Sequence, residues 1–486
     1  MNLLNSLNKL NLKNRILELI LEYPIAVSLT FKLVIVIILG ISVLETDLFL
    51  VGYDETSYIS PCINFLKYGV YGNTEVPLAN RMPSIGVIYA SLKLILNEYE
   101  VRLCIVALHI LSDFLISLYI YKICKLLIEN RIIAVLILLI YNLNTFVLVW
   151  SFFVYTDILG TLFFIISLYY LLLFTKNKEF QNIVISGLGL ILAIFFRNFF
   201  VIYLPIFIIY LFYILKGLRF KIISVCYFSI FIVIIDGIWI TRNYINFQKI
   251  IPLQTNTTAG YEYTKTYTEL KSLVSNWGLD NVAWNPKAEI LFFDDFNTRY
   301  KSPIDELPQY VYTSHYKKAF FDTLRNDLKD ARLEIQENDE YISNKIKKAN
   351  KEFKLEHPFR YYFYAPLNIS YKFLFHSGTY NISSKPFAEL NFILKLFKIS
   401  MSIQYLLVVF LGLMGSFILI VAKLKSNTSI SLICFINLIG IFALTFVLKA
   451  IEYRYFVYLY PTFVIIATLI FFEIYSIINN RKAKRE

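Results

Sequence analysis

Ten apolar blocks, most of them long enough to cross a bilayer, constrain this chain more than any other feature. They fall at about 25–44, 101–121, 132–150, 157–174, 182–196, 199–215, 221–240, 402–422, 428–448 and 455–477. A spanning helix needs about 20 mostly apolar residues. A spanning β-strand would alternate polar and apolar positions, and these blocks do not. The composition agrees, with 57% hydrophobic and 17% charged residues, against about 45–50% and about 25% in an average globular domain. A cytosolic enzyme, a secreted disulfide scaffold and a disordered chain are excluded. The expected fold is a polytopic α-helical membrane protein with about ten transmembrane helices. The fifth and sixth blocks abut at Phe196-Arg197-Asn198 and read as a tight hairpin. Lys32 lies inside the first block, so either its side chain snorkels or that span shifts toward Val51.

Orientation follows from lysine and arginine in the short connections. Lys9, Lys13 and Arg15 precede the first block. Lys122, Lys125 and Arg131 lie between the second and third, and Lys176 and Lys178 follow the fourth. Lys216, Arg219 and Lys221 follow the sixth, Lys423 and Lys425 the eighth, and Arg481 to Arg485 end the chain. With ten spans all of these share one side, which predicts cytoplasmic termini in a plasma (inner) membrane protein. The N-terminal block reads as a retained span, with no small-residue cleavage site after it. The net charge of +12 is therefore read as topology, with no nucleic-acid partner expected. Three regions result: an N-terminal transmembrane module over 1–241 with a first external loop at 45–100, an extracytoplasmic domain over 242–398, and C-terminal transmembrane helices over 399–486. Within the middle region, Lys317 to Lys354 reads as helix, ended by His357-Pro358. Phe359 to Phe375 is aromatic and basic, as interfacial segments are.

Several soluble chemistries find no residues. Of the five cysteines only Cys62 falls in an external segment, and no Cys-x-x-Cys occurs. The chain has neither Gly-x-x-x-x-Gly-Lys nor Gly-x-Gly-x-x-Gly, so a nucleotide-phosphate cradle is disfavoured. The informative residues are ionisable groups gathered at the external ends of the blocks. Asp54 and Glu55 stand together where the first block ends, followed by the amphipathic Tyr58, Ile59, Ile63 and Leu66. Such a pair suits general-base chemistry, and equally suits a helix N-terminus that favours negative charge. Arg81 precedes Met82-Pro83. Asp157 opens the fourth block, either as a helix cap or as a functional acid. Arg197, Arg242 and Arg454, the last beside Tyr455, complete the set. Four arginines with three carboxylates on one face suggest an anionic ligand, because a guanidinium fork matches phosphate.

In that order the motifs resemble the membrane-embedded GT-C glycosyltransferases that use polyprenyl-phosphate sugars. The resemblance is to the branch of protein O-mannosyltransferases, aminoarabinose lipid A transferases and their bacterial relatives. Asp54-Glu55 with Tyr58 and Gly69 is similar to the first-loop acidic signature, and Arg81-Met82-Pro83 to the basic-x-Pro segment after it. Asp157 is placed like the second acidic residue, and Phe196-Arg197-Asn198 resembles an Arg-Pro turn with asparagine for proline. Trp239 to Tyr244, then Ile251-Pro252, Thr255-Asn256 and Gly260, resemble a segment of the bacterial branch. Glu452-Tyr-Arg-Tyr455 resembles the Arg-Tyr segment opening a late span. The Trp-Trp-Asp signature of oligosaccharyltransferases is absent.

The resemblance implies a GT-C fold with one external loop of interfacial helices and one larger external mixed domain. It implies inverting transfer of a sugar from a polyprenyl-phosphate donor to a hydroxyl of a lipid, glycan or protein acceptor at the extracytoplasmic face, in contact with membrane lipids. Asp54 would be the general base, and Glu55 would orient the acceptor or fix Asp54. Arg81, Arg197, Arg242, Arg454 and Tyr455 are candidate contacts to the lipid phosphate or sugar. Asp157 would hold the acceptor, pair with an arginine, or join Asp54 around a divalent metal. No other cofactor is expected. The rival reading is a transporter or flippase of a lipid-linked sugar, which would need charges near the bilayer midplane and an internal repeat.

Overall fold

The computed structural model describes residues 18, 20–44, 55–73, 76–128, 130–254, 265–278, 309–331, 339–379, 382–383, 385–449 and 452–483. The chain forms two compact units. One comprises Met1–Ala259, Ser377–Leu438 and Phe456–Glu486, and the other Gly260–His376 and Ile439–Tyr455.

The first unit is a bundle of apolar helices. In chain order they are α1 (Pro24–Leu44), α2 (Glu55–Tyr68), α3 (Ile85–Lys93), α4 (Glu98–Leu127), α5 (Arg131–Leu143), α6 (Asp157–Asn177), α7 (Phe180–Phe196), α8 (Tyr203–Ile214) and α9 (Leu218–Phe247). A two-residue antiparallel pair, Gly72–Asn73 with Val76–Pro77, lies between α2 and α3. Six helices are long and apolar enough to cross a membrane, among them α4, α6 and α9 and three in the last hundred residues. Four shorter apolar helices occupy Pro24–Gly40, Arg131–Leu143, Phe180–Phe196 and Asn198–Ile214. Each of the ten apolar blocks thus carries a helix, but several boundaries move. The third ends at Leu143 because the Asn144 side chain accepts the Phe146 N–H at 2.8 Å, an Asx turn that competes with the helix. A 3₁₀ turn over Leu148–Phe152 follows. Asn97 and Glu100 form a reciprocal capping box that starts α4.

The hairpin of α6 and α7 shows how these helices hold each other. Apolar attraction between helices is weak in lipid, so close packing and interhelical hydrogen bonds must supply the contact. Ser167 Oγ donates to the Ser186 carbonyl at 2.6 Å, and Ser186 Oγ donates back to the Ser167 carbonyl at 2.9 Å. Gly189 lies against the backbone of Phe163 and Ser167, and Gly187 against the Phe228 carbonyl of α9, where any Cβ would collide. The two helices therefore run antiparallel in register, which brings the start of α6 beside the end of α7.

Lys32 neither snorkels nor shifts its helix. It is 2% exposed in α1 and forms a 2.5 Å ion pair with Asp113, which is wholly buried in α4. The Tyr141 hydroxyl of α5 donates to the other Asp113 oxygen at 2.7 Å. Nearby, Asn142 Nδ2 donates to Ser28 Oγ at 2.5 Å. The charged residues are thus not confined to one end of the helices; one complementary pair lies inside the bundle. Breaking such a pair from one side leaves an uncompensated charge and costs about 3–5 kcal/mol.

The second unit contains α10 (Lys265–Trp277), α11 (Lys318–Ala331), α12 (Asp339–Glu356), a π-helical turn at Arg360–Tyr364, and α13 (Ala365–Leu374). Its core gathers Leu273, Trp277, Phe321, Leu324, Ile346 and Phe353. Along α12 the buried positions are Ile342, Ile346, Ala349 and Phe353, one helical stripe. Asp339 accepts the N–H groups of Lys265 and Thr266, which caps α10. The region expected to be one helix over Lys317 to Lys354 is α11 and α12, with 332–338 outside the described residues. Among the described residues of this unit every regular element is helical, so the expectation of a mixed domain is corrected there. The remaining helices are α14 (Phe392–Ala422), capped by Asn391 at 2.8 Å, α15 (Thr428–Phe442) and α16 (Tyr460–Ala483). The cap at Asn391 explains why α14 begins ten residues before the expected span.

Lys32→Met is expected to lower the thermal midpoint of purified protein sharply, whereas Lys32→Met combined with Asp113→Leu recovers most of the loss. A double variant as unstable as the single one would show that the pair is not what Lys32 contributes.

Candidate functional site

The site is built where α2, α6 and α7 meet in the first unit. Asp157 is the first residue of α6 and is fully buried. Its Oδ2 accepts from Arg197 Nη2 at 2.8 Å. Its Oδ1 accepts a short hydrogen bond from the Tyr458 hydroxyl. Arg197 caps the C-terminus of α7 in extended backbone, so the antiparallel hairpin delivers the two residues to one end. Of the three expectations for Asp157, pairing with an arginine is the one seen. The Thr156 side chain makes no capping bond.

Tyr58 of α2 joins this pair to Arg81. Its ring lies 4.4 Å from the Arg81 guanidinium and 5.5 Å from that of Arg197. Rings and guanidiniums attract when stacked this way. The Tyr58 hydroxyl is buried and has no hydrogen-bond partner among the described residues, and neither has Arg81 Nε. Tyr58 is fixed from behind by Gly86 of α3, since a Cβ there would strike the Tyr58 carbonyl and the Cys62 sulfur. The loop bearing Arg81 is held by a 3.0 Å bond from the Tyr71 hydroxyl to the Arg81 carbonyl.

Glu55, the first residue of α2, is 4% exposed and paired with Arg102 of α4. Arg102 also reaches Glu98 at 3.1 Å. Asp54 lies outside the described residues. Arg242 does not join the Asp157 cluster through any of these contacts. Its donors go to the carbonyls of Leu78 at 2.7 Å and Tyr71 at 2.6 Å and to the Asn243 side chain at 2.8 Å. It clamps the 71–78 hairpin to α9. Arg454 and Tyr455 fall in the second unit, where Arg454 is 2% exposed and pairs with Glu452 at 2.7 Å.

Beside Arg242 opens an apolar pocket of about 440 Å³, walled by Phe65, Leu66, Val70, Val87 and Trp239. Burial there pushes the Cys62 thiol up to about 12, only partly opposed by the Tyr71 hydroxyl, and pushes Tyr71 itself up. Both shifts have the sign of a low-polarity wall.

A divalent metal on Asp157 finds a poor donor set. Both carboxylate oxygens are engaged, one by a guanidinium that already supplies the positive charge. Among the described residues the one cluster with metal-ligand types is His315, Glu352 and Glu356, in the second unit. There both carboxylates accept backbone N–H groups of Ser314 and His315.

Three partners were not singled out in the sequence: Arg102, Tyr458 and Asp113. Arg102 carried a signal, because a cation near the N-terminal end of a helix is poorly placed for the helix dipole and favours an acid nearby. Asp113 carried one too, as a carboxylate in mid-block matching Lys32. Tyr458 carried none among 37 tyrosines.

The first unit thus joins a bundle of apolar helices, paired acids and arginines at helix ends, and an apolar pocket beside Arg242. Residues 83–239 match the family described as dolichyl-phosphate-mannose-protein mannosyltransferase. That match supports a GT-C glycosyltransferase dependent on a polyprenyl-phosphate sugar. It spans Arg102, Asp157 and Arg197 and stops short of Glu55, Arg81, Arg242 and Arg454. No curated protein matches the chain. Nothing found supports the transporter alternative.

Arg197→Ala is expected to strand a buried Asp157 and destabilise the protein by about 3–5 kcal/mol, while Tyr458→Phe costs about 1–3 kcal/mol. Equal, small shifts of the thermal midpoint in both variants would show that Asp157 is not held as described.

Proposed function

We propose that the protein is an inverting glycosyltransferase acting at the extracytoplasmic face, moving a sugar from polyprenyl phosphate to an acceptor hydroxyl. The observation that carries this reading is Tyr58. Its ring is flanked by two guanidiniums, and its buried hydroxyl has no partner among the described residues. Buried polar groups are nearly always bonded, so an unmet hydroxyl among cations favours a polar, anionic ligand there.

In the proposed reaction the acceptor hydroxyl gives its proton to Asp54. Its oxygen bonds to the anomeric carbon as the bond from that carbon to the phosphate oxygen breaks, and the phosphate leaves with the electron pair. Arg81 and Arg197 face the charge that develops on the leaving group, the kind of preorganised stabilisation that favours a transition state. Glu55, anchored by Arg102, orients the acceptor. Asp157 holds Arg197 in place. The apolar pocket beside Trp239 offers room for the first isoprene units of the donor, with Arg242 at its wall as a positioning residue. The lysine and arginine bias of the short connections supports an external site. A hydroxyl on a lipid, glycan or protein serves this chemistry equally.

Asp54→Asn should leave the thermal midpoint unchanged and reduce transfer from a polyprenyl-phosphate sugar by about 10²–10⁴-fold, the usual contribution of a general base. Near-normal turnover would remove Asp54 from that role. Tyr58→Phe separates ligand contact from packing. Because the hydroxyl is unbonded in the protein alone, its loss should not reduce stability, yet kcat/KM should fall about tenfold, the equivalent of one hydrogen bond. A variant with unchanged kcat/KM would rule out a ligand bond at Tyr58.

A further inference from the structure

The second unit carries a basic and aromatic face that the transfer reaction does not use. Along α12, Lys347, Lys351 and Lys354 recur at intervals of four and three residues and are all exposed, one stripe of a helix. Glu352 and Glu356 lie two residues to either side of Lys354, on another face, where they cap the backbone of Ser314 and His315. Lys354 points instead toward the turn that follows, 5.3 Å from the Tyr361 ring and 5.4 Å from the Tyr362 ring. A second ammonium shares the first of those rings, since Lys449 Nζ lies 4.2 Å from Tyr361 and donates to Asn276. Arg360 is stacked over Tyr310 at 3.4 Å and Tyr364 at 4.4 Å. Among the described residues no carboxylate pairs with Lys354, Arg360 or Lys449.

The same segment shows apolar side chains to the outside. Phe359, Phe363, Leu367 and Tyr371 recur every fourth residue and are 71%, 56%, 56% and 62% exposed. Among the described residues no element of this unit covers them. The segment is also tied to a membrane span. Ser370 Oγ donates to Thr445 Oγ1 at 2.7 Å, inside the π-helical turn Ala443–Val447 that ends the apolar run Thr428–Val447. Lys449 follows two residues later, in left-handed backbone at φ +48°, a conformation a lysine rarely adopts without a local reason. An apolar stripe, flanked by cations and anchored at the end of a span, has the make-up of an interfacial segment.

We propose that Lys354, Arg360 and Lys449, with the exposed stripe of Phe359, Phe363 and Tyr371, bind anionic phospholipid headgroups at the membrane face where the 428–447 span ends. The phosphate sits between the two lysines over Tyr361, and the rings lie among the upper acyl carbons. Burial and the adjacent Lys354 hold the Lys449 ammonium down at about 8. A phosphate between the two cations offsets the Lys354 share of that shift.

The test uses full-length protein in nanodiscs of phosphatidylcholine with a minority of phosphatidylglycerol. Native mass spectrometry counts the lipids that stay bound after release. Wild type should retain phosphatidylglycerol preferentially. Lys354→Gln and Lys449→Gln should each weaken that preference about fivefold, the usual effect of one cation near an anionic surface. Lys354→Arg with Lys449→Arg should keep it at an unchanged thermal midpoint, and Phe363→Ser with Tyr371→Ser should weaken retention of both lipids. Equal preference in wild type and the glutamine variants overturns the proposal. So does displacement of phosphatidylglycerol by millimolar inorganic phosphate, which would mark a simple anion site. A raised donor KM for the glutamine variants in pure phosphatidylcholine would assign the lysines to the sugar donor and likewise overturn it.

Discussion

The pair Asp157–Arg197 is the contact on which the site depends, and the α6–α7 hairpin makes it. Two helices locked by reciprocal serine bonds and by glycines at their interface have no freedom to slide. A shift of one turn would separate the start of α6 from the end of α7 by about 5.4 Å. Asp157 would then be a buried carboxylate without a cation. Helix packing and site electrostatics therefore fix each other, since the register makes the ion pair and the ion pair penalises any other register. Tyr458 adds a third strand of the chain to the same carboxylate, so the C-terminal helix is brought to the site by chemistry and not only by packing.

Charge is handled in two ways in the first unit. Lys32 and Asp113 neutralise each other deep among the helices, with Tyr141 completing the carboxylate's bonds. That network asks nothing of a ligand. At the helix ends the acids also have partners, but Arg81 Nε and the Tyr58 hydroxyl do not. A translocation path would call for unmet charge inside the bundle. Here the interior pair is closed, each charge answering the other.

Much of this was legible in the sequence, for physical reasons that differ by element. The helices were readable because a spanning segment must be continuously apolar. Their ends were less so: Asn144 and Asn391 change boundaries through single side-chain bonds that hydropathy does not register. Glu55, Arg81, Asp157 and Arg197 were readable as charges at the ends of apolar blocks, and Asp157 and Arg197 do meet. The partners Arg102 and Tyr458 were not, because pairing across residues 55 to 102 and 157 to 458 is a property of helix packing. Lys32 was noticed as an anomaly, and its explanation required knowing that α1 lies against α4.

The arginines, which sequence alone leaves equivalent, separate once their bonds are known. Arg102 and Arg197 answer the buried acids Glu55 and Asp157, and Arg454 answers Glu452. The first two make buried carboxylates tolerable in a poorly hydrated place, while Arg454 is itself the buried partner of a partly exposed acid. Arg242 has donors in two backbone carbonyls and an amide side chain, and so acts on the loop that carries Arg81. Among the described residues Arg81 combines a ring contact and a buried, unbonded nitrogen with no ion pair, whereas Arg197 and Arg454 also hold carboxylates. A guanidinium holding donor capacity in reserve beside an aromatic ring is the better phosphate ligand, because binding then satisfies a bond instead of breaking one. Under the proposed function Arg81 would rank first for the leaving phosphate and Arg197 second, while Arg242 holds the hairpin from which Tyr71 reaches the Arg81 carbonyl.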